Sequence, residues 1–291
     1  MFERISRGWG IAKASGAVLK RHPSLVLLPI FSCVACLLLL AVVGGFVYAG
    51  TGAEPLNEVS ASFDRYSNGS PIVYVVLFVI YLVTSFVATF FNAALVSCAL
   101  DAFDGRTPTV RGGLAAALRR LPQITAWSVV AATVGLLLNI VQSFVRDKLG
   151  FLGALLGGLM DAAWSVVTYF VVPVLVVEGA GPIKAVKRSA SILKQTWGES
   201  LGGEGGLGLV SFLFFLPALL LVPVVYLAAD LPVAVLVVVI AVFVAYLLVV
   251  SLIFAALGTI FRAGAYLYGT TGHAPSSIDP ALLQSAFHTK V

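Results

Sequence analysis

Charge is what this sequence has least of. Only 11% of its 291 residues are Asp, Glu, Lys or Arg, while 60% are hydrophobic. Soluble domains carry about 25% charged residues and about 45–50% apolar ones. A soluble fold has too little interior to hide this much apolar surface, so lipid must cover much of it. Cysteine is scarce too. Cys33, Cys36 and Cys98 lie within or at the ends of apolar runs, which excludes a disulfide framework or a zinc site built from exposed, clustered ligands. Cys33-x-x-Cys36 has redox spacing, but thiolate formation is disfavoured in a lipid-embedded helix. The histidines, His22, His273 and His288, are scattered outside the apolar runs. HExxH, GxSxG, a P-loop and usefully spaced carboxylate pairs are all missing. These absences point away from an enzyme, a metal site or a cofactor. The net charge of +5 would raise nucleic acid as a partner in a soluble protein. Here the distribution of charge matters more than its sum, and no nucleic-acid partner is expected. The first apolar run begins near Ser24, after five basic residues, and is too long for a signal-peptide core. No cleaved leader is expected.

What the chain has is long apolar runs. Six reach the roughly 20 residues that a bilayer requires: Leu25–Ala49, Pro71–Leu100, Ile124–Val145, Phe151–Val177, Leu207–Ala229 and Pro232–Phe261. The second and last exceed a perpendicular span, so they tilt or continue as helix beyond the membrane. Residues 1–268 are expected to form one six-span domain, and 269–291 a polar cytoplasmic tail.

Lys and Arg set the orientation. Fifteen of the eighteen lie in the N-terminus, the 101–123 and 178–206 loops and the C-terminal segment. Arg65, Arg146 and Lys148 lie on the other side. That asymmetry predicts an inner (plasma) membrane protein with both termini cytoplasmic. Its longest outer loop, 50–70, carries Glu54, Glu58 and Asp64 against one Arg65.

Three cytoplasmic segments show helical periodicity. The first places Phe2, Ile5, Trp9, Ala12, Gly16 and Leu19 on one face. The second does so with Val110, Leu114, Ala117, Leu118 and Leu121, beginning at Pro108. In the third, Ile183, Val186, Ala190, Leu193 and Trp197 oppose Lys184, Lys187, Arg188 and Lys194, with Pro182 in the first turn. The expected fold is therefore all-α: a polytopic bundle of six transmembrane helices in three hairpins, each preceded by a cytoplasmic amphipathic helix. Glycines at 202, 203, 205, 206 and 208 break the chain before the fifth span. Pro173, Pro217 and Pro223 are expected to kink spans four and five.

Few polar residues lie within the runs. Asp161 is the charged one, and a carboxylate at membrane depth is costly enough to be a functional candidate. Asn139 is its natural partner, because both lie roughly 25 Å from the inner boundary at about 1.5 Å per residue. Gln142 is one turn beyond. These residues and Asn92 form a candidate ion or substrate path, or else a structural clamp and helix–helix hydrogen bonds. Gly153-x-x-x-Gly157 permits close helix contact, within the chain or between copies. At the inner boundary Glu178 is an interfacial anchor for Lys184, Lys187 or Arg188. Arg262 suits lipid phosphate or a pairing with Glu178 or Asp101. Lys20, Arg21, Arg119, Arg120, Lys184, Lys187, Arg188, Lys194 and Arg262 are the candidate lipid-headgroup residues. Anionic membrane lipids are the expected partners, with a protein partner or a second copy also possible at this surface.

Glu178, Gly179, Gly181, Pro182, Ala185, Arg188 and Ser189 spell Glu-Gly-x-Gly-Pro-x-x-Ala-x-x-Arg-Ser. The block from Phe170 to Trp197 resembles the hallmark of an uncharacterised prokaryotic membrane family, a domain of unknown function (DUF6159-like). It is distantly similar to the membrane region attached to some glycerophosphodiesterases. Phe91–Ile124 and the opening residues 2–29 look like the same family. The resemblance covers most of the chain and implies six spans, with Glu178, Gly181 and Pro182 as a structural motif. It implies no activity. The glycerophosphodiesterase likeness carries no catalysis, because no soluble catalytic domain accompanies it here. A non-enzymatic organiser of lipid or partner proteins is the expected function, and a transporter or channel for a small or lipid-like solute is the alternative.

Overall fold

A computed structural model of the chain describes residues 13, 15–51, 71–195, 208, 210–216 and 233–272. Among these, every regular element is helical. A 3-10 turn, Pro23–Val26, leads into α1 (Leu27–Thr51). There follow α2 (Pro71–Phe103), α3 (Val110–Arg119), α4 (Leu121–Leu149), α5 (Phe151–Val167), α6 (Val171–Val177), α7 (Pro182–Gln195) and α8 (Val233–Thr271). The chain is also helical over 15–21.

Five stretches of the described residues are long and apolar enough to cross a membrane: Pro23–Phe46, Val75–Phe103, Leu121–Leu149, Phe151–Val177 and Val235–Thr271. They mark the chain as a membrane protein. Large apolar side chains stand out on them, Phe46 at 76% and Phe151 at 83% exposure, which water would not tolerate over so many residues. The expected span Leu207–Ala229 lies largely outside the described residues, as do Pro217, Pro223, the 52–70 loop, Trp197, residues 1–12 and the tail from 273.

Element ends differ from expectation for local reasons. Span three begins at Leu121 rather than Ile124, because Pro122 fits the first helical turn, where its missing N–H has no partner to lose. The last helix runs ten residues past Phe261, to Thr271. Pro108 precedes α3 rather than beginning it. Thr109 is the cap, its Oγ1 accepting from Gly112 N at 3.1 Å. Pro173 breaks span four as expected. It offers no N–H to the Tyr169 carbonyl and its ring crowds that group. The chain turns at 168–170, between α5 and α6. Thr168 Oγ1 bonds back to Trp164 O at 2.8 Å, which eases the bend.

Contacts divide the chain into two compact units. One comprises Met1–Pro29, Leu95–Gly113 and Ser191–Val291. Within it α8 packs on the 3-10 turn at Pro23–Val26, and Leu25, Leu28, Leu95, Val96, Ile260 and Phe261 are buried. Arg106 bridges Asp101 and Asp104, at 2.8 Å to each.

The other unit comprises Ile30–Ala94 and Leu114–Ala190. Its strongest packing is the antiparallel pair α4 and α5, joined through Gly150 at φ 55°. Trp127 and Trp164 stack with centroids 6.1 Å apart. Gly153 and Gly157 are both buried on α5 facing α4, while nothing lies within 4 Å of a Cβ placed on Gly158. The GxxxG pair therefore serves a contact within the chain.

Candidate functional site

The turn from α6 into α7 gathers most of the motif residues. After Val177 the chain passes through Glu178 into Gly179 at φ 61°, a left-handed conformation that favours glycine. Pro182 opens α7, and Gly181 O accepts the first helical bond from Ala185 N at 2.9 Å.

The last carbonyls of a helix lack partners within it. In α6 those of Val176 and Val177 accept from Arg120, at 3.0 Å from Nε and 3.3 Å from Nη2. A guanidinium suits the negative end of a helix and presents its donors as a fork. A Cβ on Gly179 would collide with Arg120 Nη1. Gly179 is therefore needed twice, for its φ and for the space its missing side chain leaves.

Arg188 Nε donates to Glu178 Oε1 at 2.9 Å and ties the two ends of the turn together. Of the partners open to Glu178 at the sequence level, this pairing is in place. Both side chains are partly exposed, so the pair contributes only about 0–1 kcal/mol. Ser189 is fully buried, and its Oγ accepts the Phe170 N–H at 3.0 Å, at the break between α5 and α6. Ala185 is buried beside it on the same face of α7. Ser189→Ala would leave the buried Phe170 N–H without this partner, at an expected cost of about 1–3 kcal/mol. Ser189→Thr keeps an acceptor oxygen and tests the same bond. Chemical unfolding in detergent micelles measures both, and equal stability of wild type and Ser189→Ala would show that the bond does not hold α7 to the break.

The buried face of α7 is offset from its apolar stripe. Ala185, Ser189, Ile192 and Leu193 are buried, whereas Ile183 is 71% exposed. Lys184, Lys187, Arg188 and Lys194 are exposed. On α3, Gly113 and Ala117 are buried, and Leu118, expected on the apolar face, is 57% exposed beside exposed Arg119. Leu121 is exposed as well. Lys20 and Arg21 are exposed at the end of the 15–21 helix, and Arg262 is half-buried between buried Phe261 and Ala263. Arg120, also expected at lipid headgroups, turns its donors to the Val176 and Val177 carbonyls.

A family model described as a family of unknown function (DUF6159) matches residues 71–276. The chain belongs to this family. No curated protein and no solved structure matches the chain, so the distant likeness to the glycerophosphodiesterase-associated region gains no support. The DUF6159 match takes in α2 to α8, hence the whole Arg120–Glu178–Arg188–Ser189 cluster, and leaves out Lys13, Lys20 and Arg21.

The DUF6159 chain has a second polar cluster within its spans. Gln142 Nε2 donates to Asp161 Oδ1 at 2.8 Å and lies 3.4 Å from Gly157 O. Asp161 thus takes this bond from Gln142, while Asn139, the partner expected from depth alone, is exposed on α4. The two positions on α4 differ by about 60° around the helix axis, enough to turn one toward α5 and the other away. Asn92 is half-buried on α2 beside buried Ala93 and Ala94.

Two features of these sites escaped the sequence reading. Arg120 reaches carbonyls 56 and 57 positions away, which no local pattern reports. Ser189 sits on a helix face that its neighbours Lys187 and Arg188 made look polar. Its place in the motif was a signal, but not for the bond it makes.

Proposed function

We propose that this chain is a non-enzymatic inner-membrane protein that organises anionic lipid, or a protein partner at the same surface, through basic amphipathic helices. The proposal takes the fold as six spans in three hairpins, each preceded by such a helix, with both termini cytoplasmic. Its main support is the pairing of exposed apolar with exposed basic side chains on α3 and α7: Leu118 beside Arg119, and Ile183 beside Lys184 and Lys187. At a membrane boundary such a surface places apolar groups among acyl chains and ammonium groups at lipid phosphates. Arg188 contributes less, since Glu178 holds it. Its reversal would break an internal ion pair and confuse the test.

The informative variant is therefore Lys184→Glu/Lys187→Glu/Lys194→Glu. At about 1 kcal/mol per cation near the surface, its preference for phosphatidylglycerol over phosphatidylcholine should fall more than tenfold at low salt. High salt should erase the wild-type preference, because screening shortens the reach of surface charge. Lipids retained by the purified protein, counted by native mass spectrometry, give the readout. An unchanged ratio in the triple variant would end the lipid-organising reading.

The Gln142–Asp161 bond favours a second reading, transport of a small or lipid-like solute past a carboxylate held within a span. This reading expects proton or ion flux in proteoliposomes that Asp161→Asn abolishes. Flux equal to empty liposomes for both proteins would leave Asp161 as a clamp between α4 and α5.

A further inference from the structure

The unit that contains α8 holds a cavity of about 670 Å³, walled by Val210, Phe214, Tyr246, Val250, Phe254 and Leu257. Its wall on α8 runs from Tyr246 to Leu257, about 16 Å at about 1.5 Å per residue. Half of a hydrocarbon core about 30 Å thick is about 15 Å, the depth of one leaflet. The Tyr246 end offers a ligand little, because the phenol donates to Phe214 O at 2.9 Å. Among the described lining residues Lys13 is the charged one, and it is exposed. It belongs to the Leu257 end: Gly16, one turn on, approaches Leu257, whose Cδ2 would be 4.0 Å from a Cβ there.

We propose that this cavity binds one acyl chain of an anionic phospholipid, with the phosphate at Lys13 and the chain running along α8 toward Tyr246. An apolar trough as deep as a leaflet, with the Lys13 cation at its mouth, complements that ligand in length and in charge. The inference rests on the membrane assignment alone. Lys13 is not among the charges reversed in the α7 variant, so either proposal can fail while the other stands.

The test is photocrosslinking in liposomes with phosphatidylglycerol that carries a diazirine on one acyl chain, mapped by peptide mass spectrometry. Label should concentrate on Val250, Phe254 and Leu257. The phosphatidylcholine analogue should label them about fivefold less, the factor expected for one cation at a lipid phosphate. Lys13→Gln should bring the two lipids to parity. Val250→Trp should remove the label from Phe254 while Val238 and Val242, exposed on the same helix, keep theirs. Several outcomes would overturn the proposal: label spread evenly over Val238, Val242 and Val249, equal labelling by both headgroups in wild type, or labelling by photoactivatable palmitate alone. The wild-type map needs no variant to fold.

Discussion

Gly153→Ala is expected to destabilise the chain by about 1–3 kcal/mol, and Gly153→Leu by more, as overpacked sites do. A Cβ at this position would strike the Val145 carbonyl oxygen and come within 2.7 Å of Val145 C and Arg146 Cα. All three are backbone atoms, which cannot swing aside as a side chain can. The two helices would have to part where α4 turns through Gly150 into α5. Gly157→Ala meets a softer obstacle, Gln142 Cγ at 3.1 Å. It should cost less, yet it should displace Gln142 from Asp161. Gly158→Ala is the control, because nothing lies within 4 Å of its Cβ. There the change from glycine in a helix should be neutral or stabilising by about 0.5–1 kcal/mol. Midpoints of SDS-induced unfolding, followed by circular dichroism, rank the three. If Gly153→Ala matched Gly158→Ala, the close approach of α4 and α5 would be wrong.

Gly179→Ala should cost about as much, by a different route. A residue with a Cβ loses about 1–2 kcal/mol in the left-handed conformation. The new methyl group also pushes against Arg120, whose bonds to the Val176 and Val177 carbonyls are charge-assisted and contribute about 1.5–3 kcal/mol each. Arg120 can withdraw, so only part of the second term is lost, and about 2–4 kcal/mol in all is expected. Arg120→Ala removes the same cap. Because the two residues share one contact, the double variant should fall short of the sum of the singles by about 0.5–3 kcal/mol. Gly181→Ala, with open space around its Cβ and no left-handed φ, should leave the midpoint unchanged. The same SDS titration measures the cycle. Strict additivity of Arg120→Ala and Gly179→Ala would show that the guanidinium does not pack on Gly179.

The Glu-Gly-x-Gly-Pro-x-x-Ala-x-x-Arg-Ser block thus has a structural explanation at most of its positions. Glu178 and Arg188 close the turn, Gly179 makes room for Arg120, and Pro182 starts α7. Ala185 and Ser189 bury the face of α7 that meets the break in span four. None of these roles requires a substrate.

Much of this protein was legible as a one-dimensional pattern. The apolar runs at 25–49, 71–100, 124–145, 151–177 and 232–261 became membrane-length helices, and 110–119 and 182–195 became the short helices expected there. Hydropathy and period are local properties, and neither depends on what a helix touches. The rotation of each helix was not legible, for a reason specific to membranes. In water an apolar face has one destination, the core. In a bilayer it has two, the core and the lipid, and the same side chains suit both. That is why Ile183 and Leu118, on the apolar faces of their helices, stand exposed, while Ser189, polar by type, is buried. The same ambiguity hid whether Gly153 and Gly157 met another copy or α4, and whether Asn139 or Gln142 faced Asp161. Only tertiary packing resolves it, because contacts such as Arg120 on Val176 join positions 56 residues apart, and their geometry depends on how whole helices dock.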